Sequence, residues 1–218
     1  MKKKIAILGS TGSIGKTLIE IIKKDKKNFD IVLLTADKNY KEIFKQAKIF
    51  NVKNLIITNE KSFNEIKKKR LGKIKIFNNY NSFNNIFKKK IDYVMSSISG
   101  IHGLEPTIKI IKHTKKIAIA NKEAIICGWH LIKKDLKKHK TIFVPVDSEH
   151  FSIFYALQGN KILNIEKIYL TASGGPLNNL PKAKFKNVKI SEAVKHPNWK
   201  MGKKISVDSA TMMNKVFE

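Results

Sequence analysis

The chain has 218 residues, 42% of them apolar, so it can bury one large core or two smaller ones. Its net charge of +27 raises nucleic acid as a partner, but the lysines are spread along the chain and Arg70 is the one arginine, which argues against a specific nucleic-acid reader. The sequence has no apolar run of membrane-spanning length, and its single Cys127 excludes an internal disulfide; both favour a cytoplasmic protein that does not insert into membranes.

Short β-branched runs alternate with amphipathic stretches along the first two thirds of the chain, as in βαβ units around a parallel sheet. The predicted strands are 5–8, 31–35, 55–58, 74–77, 93–97, 117–120 and 141–146. The predicted helices are 13–24, 40–50, 104–113 and 123–137, and the Asn-, Lys- and Phe-rich stretch 78–90 predicts a surface helix with its loop. We therefore expect a doubly wound, Rossmann-type α/β domain over residues 1–146.

The pattern changes after residue 146, so we expect a second, incomplete α/β catalytic domain over residues 147–218. A strand is predicted at 167–171, followed by the turn sequence 173–176. The last segment, 205–218, has the pattern of a strand and the start of a helix.

A glycine-rich loop follows the first predicted strand and precedes the first predicted helix. Gly9 and Gly12 would permit a tight turn and close approach of the backbone to a pyrophosphate, and Gly15 would let the helix pack against the strand. The amides at the start of that helix would then face the phosphates. The position of the loop favours a dinucleotide site, and the alternative is a tight turn without a ligand.

The residues after the second predicted strand are expected to contact the adenosine ribose. Asp37 would accept a hydrogen bond from a free 2′-hydroxyl and so indicates NAD, whereas Lys38 and Asn39 could bind the 2′-phosphate of NADP. The cationic surroundings favour NADP.

Acidic residues follow the strand predicted at 141–146. Asp147 and Glu149 are two positions apart, which in extended backbone would place both carboxylates on one side, as ligands for Mg²⁺ or Mn²⁺. A helix cap with acids in the first turn is equally compatible with this spacing. Another predicted strand is followed by Asn121, Lys122 and Glu123. Lys122 could bind a phosphate or carbonyl oxygen of a ligand, or Asn121 could simply cap a helix.

Three later segments carry groups that suit a phosphorylated polyol. Ser173 offers a hydroxyl beside two glycines, and the loop 195–202 could close over a substrate or could be an ordinary surface loop. A helix over the last segment would present Ser209, Asn214 and Lys215 together, with Glu218 one turn beyond Asn214.

Six ordered blocks of this sequence together resemble the 1-deoxy-D-xylulose 5-phosphate reductoisomerase family. They are residues 9–15, 121–123, 145–150, 173–176, 196–199 and 204–215. The resemblance implies a cytoplasmic enzyme of non-mevalonate isoprenoid biosynthesis, a homodimer when complete. It would rearrange deoxyxylulose phosphate to an aldehyde with the help of a divalent cation and then reduce the aldehyde with NADPH to 2-C-methyl-D-erythritol 4-phosphate. The cation would be Mg²⁺ or Mn²⁺, with Co²⁺ as a third candidate.

The resemblance also implies roles for individual residues. The metal ligands would be Asp147, Glu149 and Glu218. The catalytic residues would be Lys122, Asp147, Glu149 and His196. The substrate would contact Lys122, Ser148, Glu149, Ser173, His196, Ser209, Asn214, Lys215 and Glu218. The cofactor would contact Thr11, Gly12, Ser13, Ile14, Lys38, Asn39, Asn121, Glu123 and Gly202, and a flap would contain Trp199 and Met201.

The chain departs from the family pattern at Asp37, where glycine is usual, and at Val216 and Phe217, where glycine and leucine are usual. Two alternatives stay open. One is a dinucleotide-binding fragment without turnover, and the other is a different Rossmann-fold reductase, in which Cys127 would be the candidate nucleophile.

Overall fold

The computed structural model describes residues 1–68, 72–159, 164–198 and 202–218. It divides into two compact units, Met1–Asp147 and Ser148–Glu218.

The first unit is built on a seven-stranded sheet in which every neighbouring pair of strands is parallel. Its strands are β1 Lys3–Leu8, β2 Phe29–Ala36, β3 Asn54–Ile57, β4 Lys75–Phe77, β5 Ile91–Ser96, β6 Thr114–Ile119 and β7 Ile142–Pro145. The order is β4-β3-β2-β1-β5-β6-β7. Strands β2 to β4 are therefore added on one side of β1 and strands β5 to β7 on the other, which makes a topological switch point between β1 and β5. Ligands of doubly wound folds bind in the crevice beyond the carboxyl ends of the strands at such a switch point. The predicted Rossmann-type fold is confirmed.

The helices of this unit flank the sheet. They are α1 Ser13–Lys24, α2 Tyr40–Phe50, α3 Glu60–Lys67, α4 Phe83–Ile86, α5 Leu104–Ile111 and α6 Lys122–His139. Helices α1 and α2 begin and end at the residues that the sequence predicted. The predicted α5 and α6 agree with the structure to within two residues at each end.

Apolar side chains fill both faces of the sheet. In β1, Ile5 and Ile7 belong to one buried cluster, while Ala6 and Leu8 belong to the cluster on the other face. This alternation explains why the strand is a continuous apolar run, since helices cover a parallel sheet on both sides. Burial of each large aliphatic side chain contributes about 1.5–3 kcal/mol, which holds the carboxyl edge of the sheet in place.

The stretch 78–90 differs from the predicted surface helix. A 3₁₀ turn at Tyr80–Ser82 leads into the short helix α4, and Phe83 and Phe87 are buried in the core rather than exposed. The Phe87 ring lies 5.4 Å from that of His113. The buried Nε2 atom of His113 has no hydrogen-bond partner in the described part of the chain. Burial lowers the pKa of His113 to about 4, and the charges of Lys112 and His139 act in the same direction.

We expect His113 to weaken the fold in acid. Its pKa is about 4 in the folded chain and near 6.5 when unfolded, so the unfolded chain binds more protons between these values and stability falls as pH drops through that window. Replacing His113 with Phe should therefore reduce the loss of urea stability between pH 7 and pH 4. The variant His130→Gln, at an exposed histidine, serves as a control. If His113→Phe and His130→Gln lost the same amount of urea stability between pH 7 and pH 4, His113 would not be the cause of the acid sensitivity.

The second unit is mainly helical and irregular. Its helices are α7 Ser148–Ala156, α8 Ile190–Ala193, α9 Lys203–Ala210 and α10 Met213–Val216, with a 3₁₀ segment at Lys182–Asn187.

Two strands predicted in this unit are wrong. Residues 167–171 have no regular structure, and Ile168, Tyr169 and Leu170 are exposed. A strand needs a neighbour for its backbone hydrogen bonds, and no described segment pairs with this one. The segment that begins at Ile205 is helical because Ser206, Ser209 and Ala210 recur at helical spacing and are buried, while Ile205 is exposed.

Candidate functional site

The glycine loop connects β1 to α1 through close backbone contacts. Gly9 has φ +79°, and a Cβ there would lie 2.9 Å from the Ser97 carbonyl oxygen. A Cβ on Gly15 would lie 2.4 Å from the Gly9 carbonyl oxygen, so only glycine lets α1 start this close to the strand. A Cβ on Gly12 would meet its nearest atom at 3.5 Å. This loop therefore needs glycine at Gly9 and Gly15 for its own packing, whereas Gly12 leaves room beside the backbone.

A cavity of about 680 Å³ lies beside this loop. It is lined by Gly9, Thr11, Gly12, Thr35, Ala36, Asp37, Thr58, Asn78, Asn79, Tyr80, Asn81, Ser97, Ile98, Ser99, His102, Glu105 and Lys109. Most of these residues follow the carboxyl ends of β1 to β5, and the volume lies in the range of small-molecule and cofactor sites. The cavity therefore has the place and the size of a dinucleotide site.

Of the cofactor residues predicted in the first unit, some line the cavity and others do not. Thr11 and Gly12 line the cavity, and Ser13 and Ile14 are exposed in the first turn of α1. Lys38 and Asn39 do not line it. The Asn39 Oδ1 atom instead accepts a hydrogen bond of 3.1 Å from the Glu42 amide and caps α2.

Sequence reasoning missed the cavity residues after β4 and β5. Asn78 to Asn81 and Ser97 to Ser99 directly follow strand ends, so the rule that was applied to β1 and β2 would have found them.

Asn121 supports the wall of this cavity. Its side chain is buried, the amide donates to the carbonyl oxygens of Ile98 and Gly100 at 2.5 Å each, and its Oδ1 accepts the Ala124 amide at 3.0 Å. Asn121 therefore caps α6 and fixes the loop that follows β5. Glu123 lies in the first turn of the same helix and is partly buried.

Lys122 and Asp147 form an ion pair of 2.7 Å in the first unit. Their side chains are 21% and 16% exposed, so the pair is partly shielded from water. Lys122 is the first residue of α6, and Asp147 follows β7 by two positions. Both lie beyond the carboxyl ends of neighbouring strands, as predicted for side chains at this edge of the sheet.

The backbone after Asp147 is helical, which corrects the extended geometry assumed for the acidic pair. Helix α7 begins at Ser148, and Glu149 lies in its first turn. The Ser148 hydroxyl donates a hydrogen bond of 2.7 Å to the Glu149 carboxylate.

In the second unit Lys215 joins two of the predicted metal ligands. Its ammonium donates hydrogen bonds to the carboxylates of Glu149 and Glu218, the latter at 2.6 Å. These carboxylates have oxygens within 4.8 Å of each other, and the Glu218 side chain is 1% exposed. Burial alone would lower the pKa of Lys215, but hydrogen bonds and charge from both carboxylates outweigh it and raise the pKa. The donor set of hard carboxylate oxygens fits Mg²⁺ or Mn²⁺.

A second polar pair in this unit involves the two predicted substrate residues Ser173 and His196. The Ser173 Oγ lies 2.9 Å from the His196 Nε2, and the His196 Nδ1 accepts the Asn198 amide at 3.1 Å. In the neutral ring the proton is therefore on Nε2, which donates to Ser173 and leaves the serine proton for another acceptor.

The glycines after Ser173 bring this loop against helix α9. Gly175 has φ +62°, and a Cβ there would lie 2.5 Å from the Ser209 carbonyl oxygen. Ser209 is buried, and the buried Oδ1 atom of Asn214 has no hydrogen-bond partner among the described residues. A buried acceptor without a donor is costly, so a ligand hydroxyl would fit there.

Gly202 is the N-cap of α9. The predicted flap residues Trp199 and Met201 lie outside the described residues. Cys127 is a free cysteine that is exposed on α6. None of the described helices combines the length and hydrophobicity that crossing a membrane requires.

Two family models match the chain in succession. The 1-deoxy-D-xylulose 5-phosphate reductoisomerase model matches residues 5–128, and the model of the C-terminal domain of the same enzyme matches residues 143–218. The chain belongs to the 1-deoxy-D-xylulose 5-phosphate reductoisomerase family. The resemblance found in the sequence is thereby confirmed.

Relatives and solved structures of the reductoisomerase family agree with this assignment. The enzyme of Pelagibacter ubique (strain HTCC1062) is 64% identical over 219 residues, which cover 99% of this chain and 56% of that protein. The enzyme of a Wolbachia from Culex pipiens is 44% identical, with coverage of 99% and 56%. The Zymomonas mobilis enzyme in complex with NADPH is 32% identical with a TM-score of 0.85, covering 100% of this chain and 56% of that one. A reductoisomerase in complex with NADPH, fosmidomycin and magnesium is 33% identical with a TM-score of 0.88, covering 99% and 56%. The chain thus spans about half the length of the relatives it matches.

Proposed function

We propose that this chain is the N-terminal and partial catalytic region of an NADPH- and metal-dependent reductoisomerase. The enzyme converts 1-deoxy-D-xylulose 5-phosphate to 2-C-methyl-D-erythritol 4-phosphate in non-mevalonate isoprenoid biosynthesis. The observation that carries the proposal is the partly buried Glu149–Lys215–Glu218 cluster in a chain whose other unit has a dinucleotide-sized cavity at a glycine loop. Relatives that match 99% of the chain and bear this enzyme's name support it.

The two regions divide the work. Residues 1–146 bind NADPH, and residues 147–218 begin the metal and substrate domain; the division into compact units after Asp147 supports this boundary. Thr11 and Gly12 hold the pyrophosphate against the start of α1, with Ser13 and Ile14 offering the amides of its first turn. NADPH, when bound, supplies the hydride for the reduction.

Asp147, Glu149 and Glu218 hold the divalent ion, which supplies Lewis acidity when bound. The pairing of Glu149 and Glu218 with Lys215 supports this, because the ammonium keeps two mutually repelling carboxylates side by side. Asp147 is one residue away from the unit that contains the pair, so the chain itself keeps the third carboxylate within reach of Glu149. Lys122, paired with Asp147, then donates a hydrogen bond to a substrate oxygen.

The remaining substrate residues bind the phosphate and hydroxyl groups. Ser173 donates its hydroxyl proton to the phosphate while His196 donates to the Ser173 oxygen, so His196 fixes the direction of that donor. Ser209 and Lys215 add a hydroxyl and an ammonium, and Asn214 offers its buried acceptor to a substrate hydroxyl. Ser148 completes the set beside Glu149.

The complete enzyme is cytoplasmic and homodimeric, binds a phosphorylated sugar, and has no specific nucleic-acid or membrane partner. The spread of lysines along the chain, with two carboxylates and one ammonium on the cavity, supports the absence of a nucleic-acid site there. A second candidate, a dinucleotide-binding fragment without turnover, is favoured by the 56% coverage of relatives.

One assay separates the two candidates. NADPH binding, followed by nicotinamide fluorescence, and NADPH consumption with deoxyxylulose phosphate are measured for this chain and for a version extended with the remaining segment of the Pelagibacter ubique relative, each with and without Mg²⁺. We expect metal-dependent turnover in the extended version. Binding of NADPH without turnover in both would contradict the proposed enzyme and leave the fragment, and binding in neither would contradict both.

A further inference from the structure

The charge of the cofactor cavity differs in sign from that of the chain. The chain carries a formal net charge of +27. Among the described residues that line the cavity, however, Asp37 and Glu105 are acidic and Lys109 is the one ammonium. That ammonium is already engaged, since it donates to Glu105 at 2.5 Å and to the Asn81 side chain at 2.7 Å. The lining therefore offers a phosphate less attraction than the overall charge suggests, because exposed lysines elsewhere are screened by salt.

Asp37 occupies the position in this cavity that selects between dinucleotides. It directly follows β2, and its carboxylate accepts a hydrogen bond of 2.9 Å from the Thr58 hydroxyl at the end of β3. An acid at this position of a Rossmann fold accepts a hydrogen bond from the ribose 2′-hydroxyl of NAD. The same carboxylate would repel a 2′-phosphate, which carries close to two negative charges.

The two residues that could counter this repulsion do not line the cavity. Asn39 uses its Oδ1 to cap α2, and the Lys38 carbonyl oxygen accepts the Ser62 hydroxyl at 2.9 Å, which fixes the backbone between Asp37 and α2. The neighbouring groups of the lining, Thr35, Thr58 and Asn79, are uncharged. Among the described residues that line the cavity near the end of β2, Asp37 is thus the one that carries a charge.

We infer that Asp37 is a specificity-determining residue that lets this chain bind NADH with an affinity within about tenfold of that for NADPH. It does so by accepting the 2′-hydroxyl of NADH and by repelling the 2′-phosphate of NADPH. The inference rests on the proposed function, because it concerns the cofactor of the same site.

The test is a direct titration of the chain with NADPH and with NADH, followed by nicotinamide fluorescence at one fixed ionic strength. The variants are Asp37→Asn, which keeps an acceptor for Thr58 while removing the charge, and Asp37→Gly, which removes the side chain. Asp30→Asn is the matched control, because Asp30 is an exposed acid near the other end of the same strand. Circular dichroism establishes that each variant is folded.

In the unaltered chain we expect the two dissociation constants to differ by less than about tenfold. Both Asp37 variants should shift their ratio toward NADPH by about tenfold, the size of one charge-assisted hydrogen bond, and Asp30→Asn should leave it unchanged. A ratio that stays the same in both Asp37 variants, or a strong preference for NADPH in the unaltered chain, overturns the inference alone. Failure to bind either dinucleotide overturns the proposed function and the inference with it.

Discussion

Replacing Gly15 with Ala should remove most of the dinucleotide affinity of this chain. The added Cβ would lie 2.4 Å from the Gly9 carbonyl oxygen and 2.6 Å from the Ser10 Cα, and both are backbone atoms that cannot rotate away. The start of α1 must therefore move away from the loop. Each hydrogen bond lost between an amide and the pyrophosphate costs about tenfold or more in affinity, and overpacking costs about 1–3 kcal/mol of stability. NADPH titration and urea unfolding of the same variant measure the two effects.

Two further variants isolate the cause. In Gly12→Ala the nearest atom to the new Cβ is 3.5 Å away, so stability should hold while binding weakens, because Gly12 lines the cavity. Glu20→Ala, on the exposed side of α1, should change neither quantity. If Gly15→Ala bound NADPH as tightly as the unaltered chain, the glycine loop would not be the pyrophosphate site.

Local pattern was enough to predict most of the first unit. The β-branched run of β1, the glycines after it and the apolar spacing of α1 lie within 24 residues of the start, and each favours the same βα unit. The parallel sheet then follows from repetition of that unit. Helix α3 was missed because Phe63 and Ile66 are its only large apolar residues, too few for a clear period.

Long-range contacts could not be predicted in this way. The segment 167–171 has the composition of a strand, but strand formation depends on a neighbour that composition does not identify. The pairing of Lys215 with Glu149 joins residues 66 positions apart, and that of Lys122 with Asp147 joins two segments on neighbouring strands. The sequence predicted that these residues would belong to a site, but it gave no indication that lysines would pair with the proposed metal ligands.

The second prediction with a large expected effect concerns Asp147, the proposed metal ligand that pairs with Lys122. Asp147→Asn in the version extended to family length should abolish Mg²⁺- or Mn²⁺-dependent NADPH oxidation. The amide keeps the size of the side chain but loses the charge that a hard divalent ion requires. Metal-dependent charge stabilisation is worth several kcal/mol, so we expect a loss of at least about a thousandfold in rate. NADPH binding should be nearly unchanged, since Asp147 does not line the cofactor cavity.

The same substitution also breaks the ion pair with Lys122, and a matched variant separates the two consequences. Lys122→Gln breaks the 2.7 Å pair but keeps all three carboxylates. Calorimetric titration with Mn²⁺ should show weak or no binding in Asp147→Asn and near-normal binding in Lys122→Gln, whose rate should fall because a donor to the substrate is lost. Glu60→Gln, an exposed acid at the start of α3, should bind Mn²⁺ normally and retain full rate. Full activity in Asp147→Asn, or equal loss of Mn²⁺ from both members of the pair, would show that the carboxylate serves to hold Lys122 and is not a ligand to the metal.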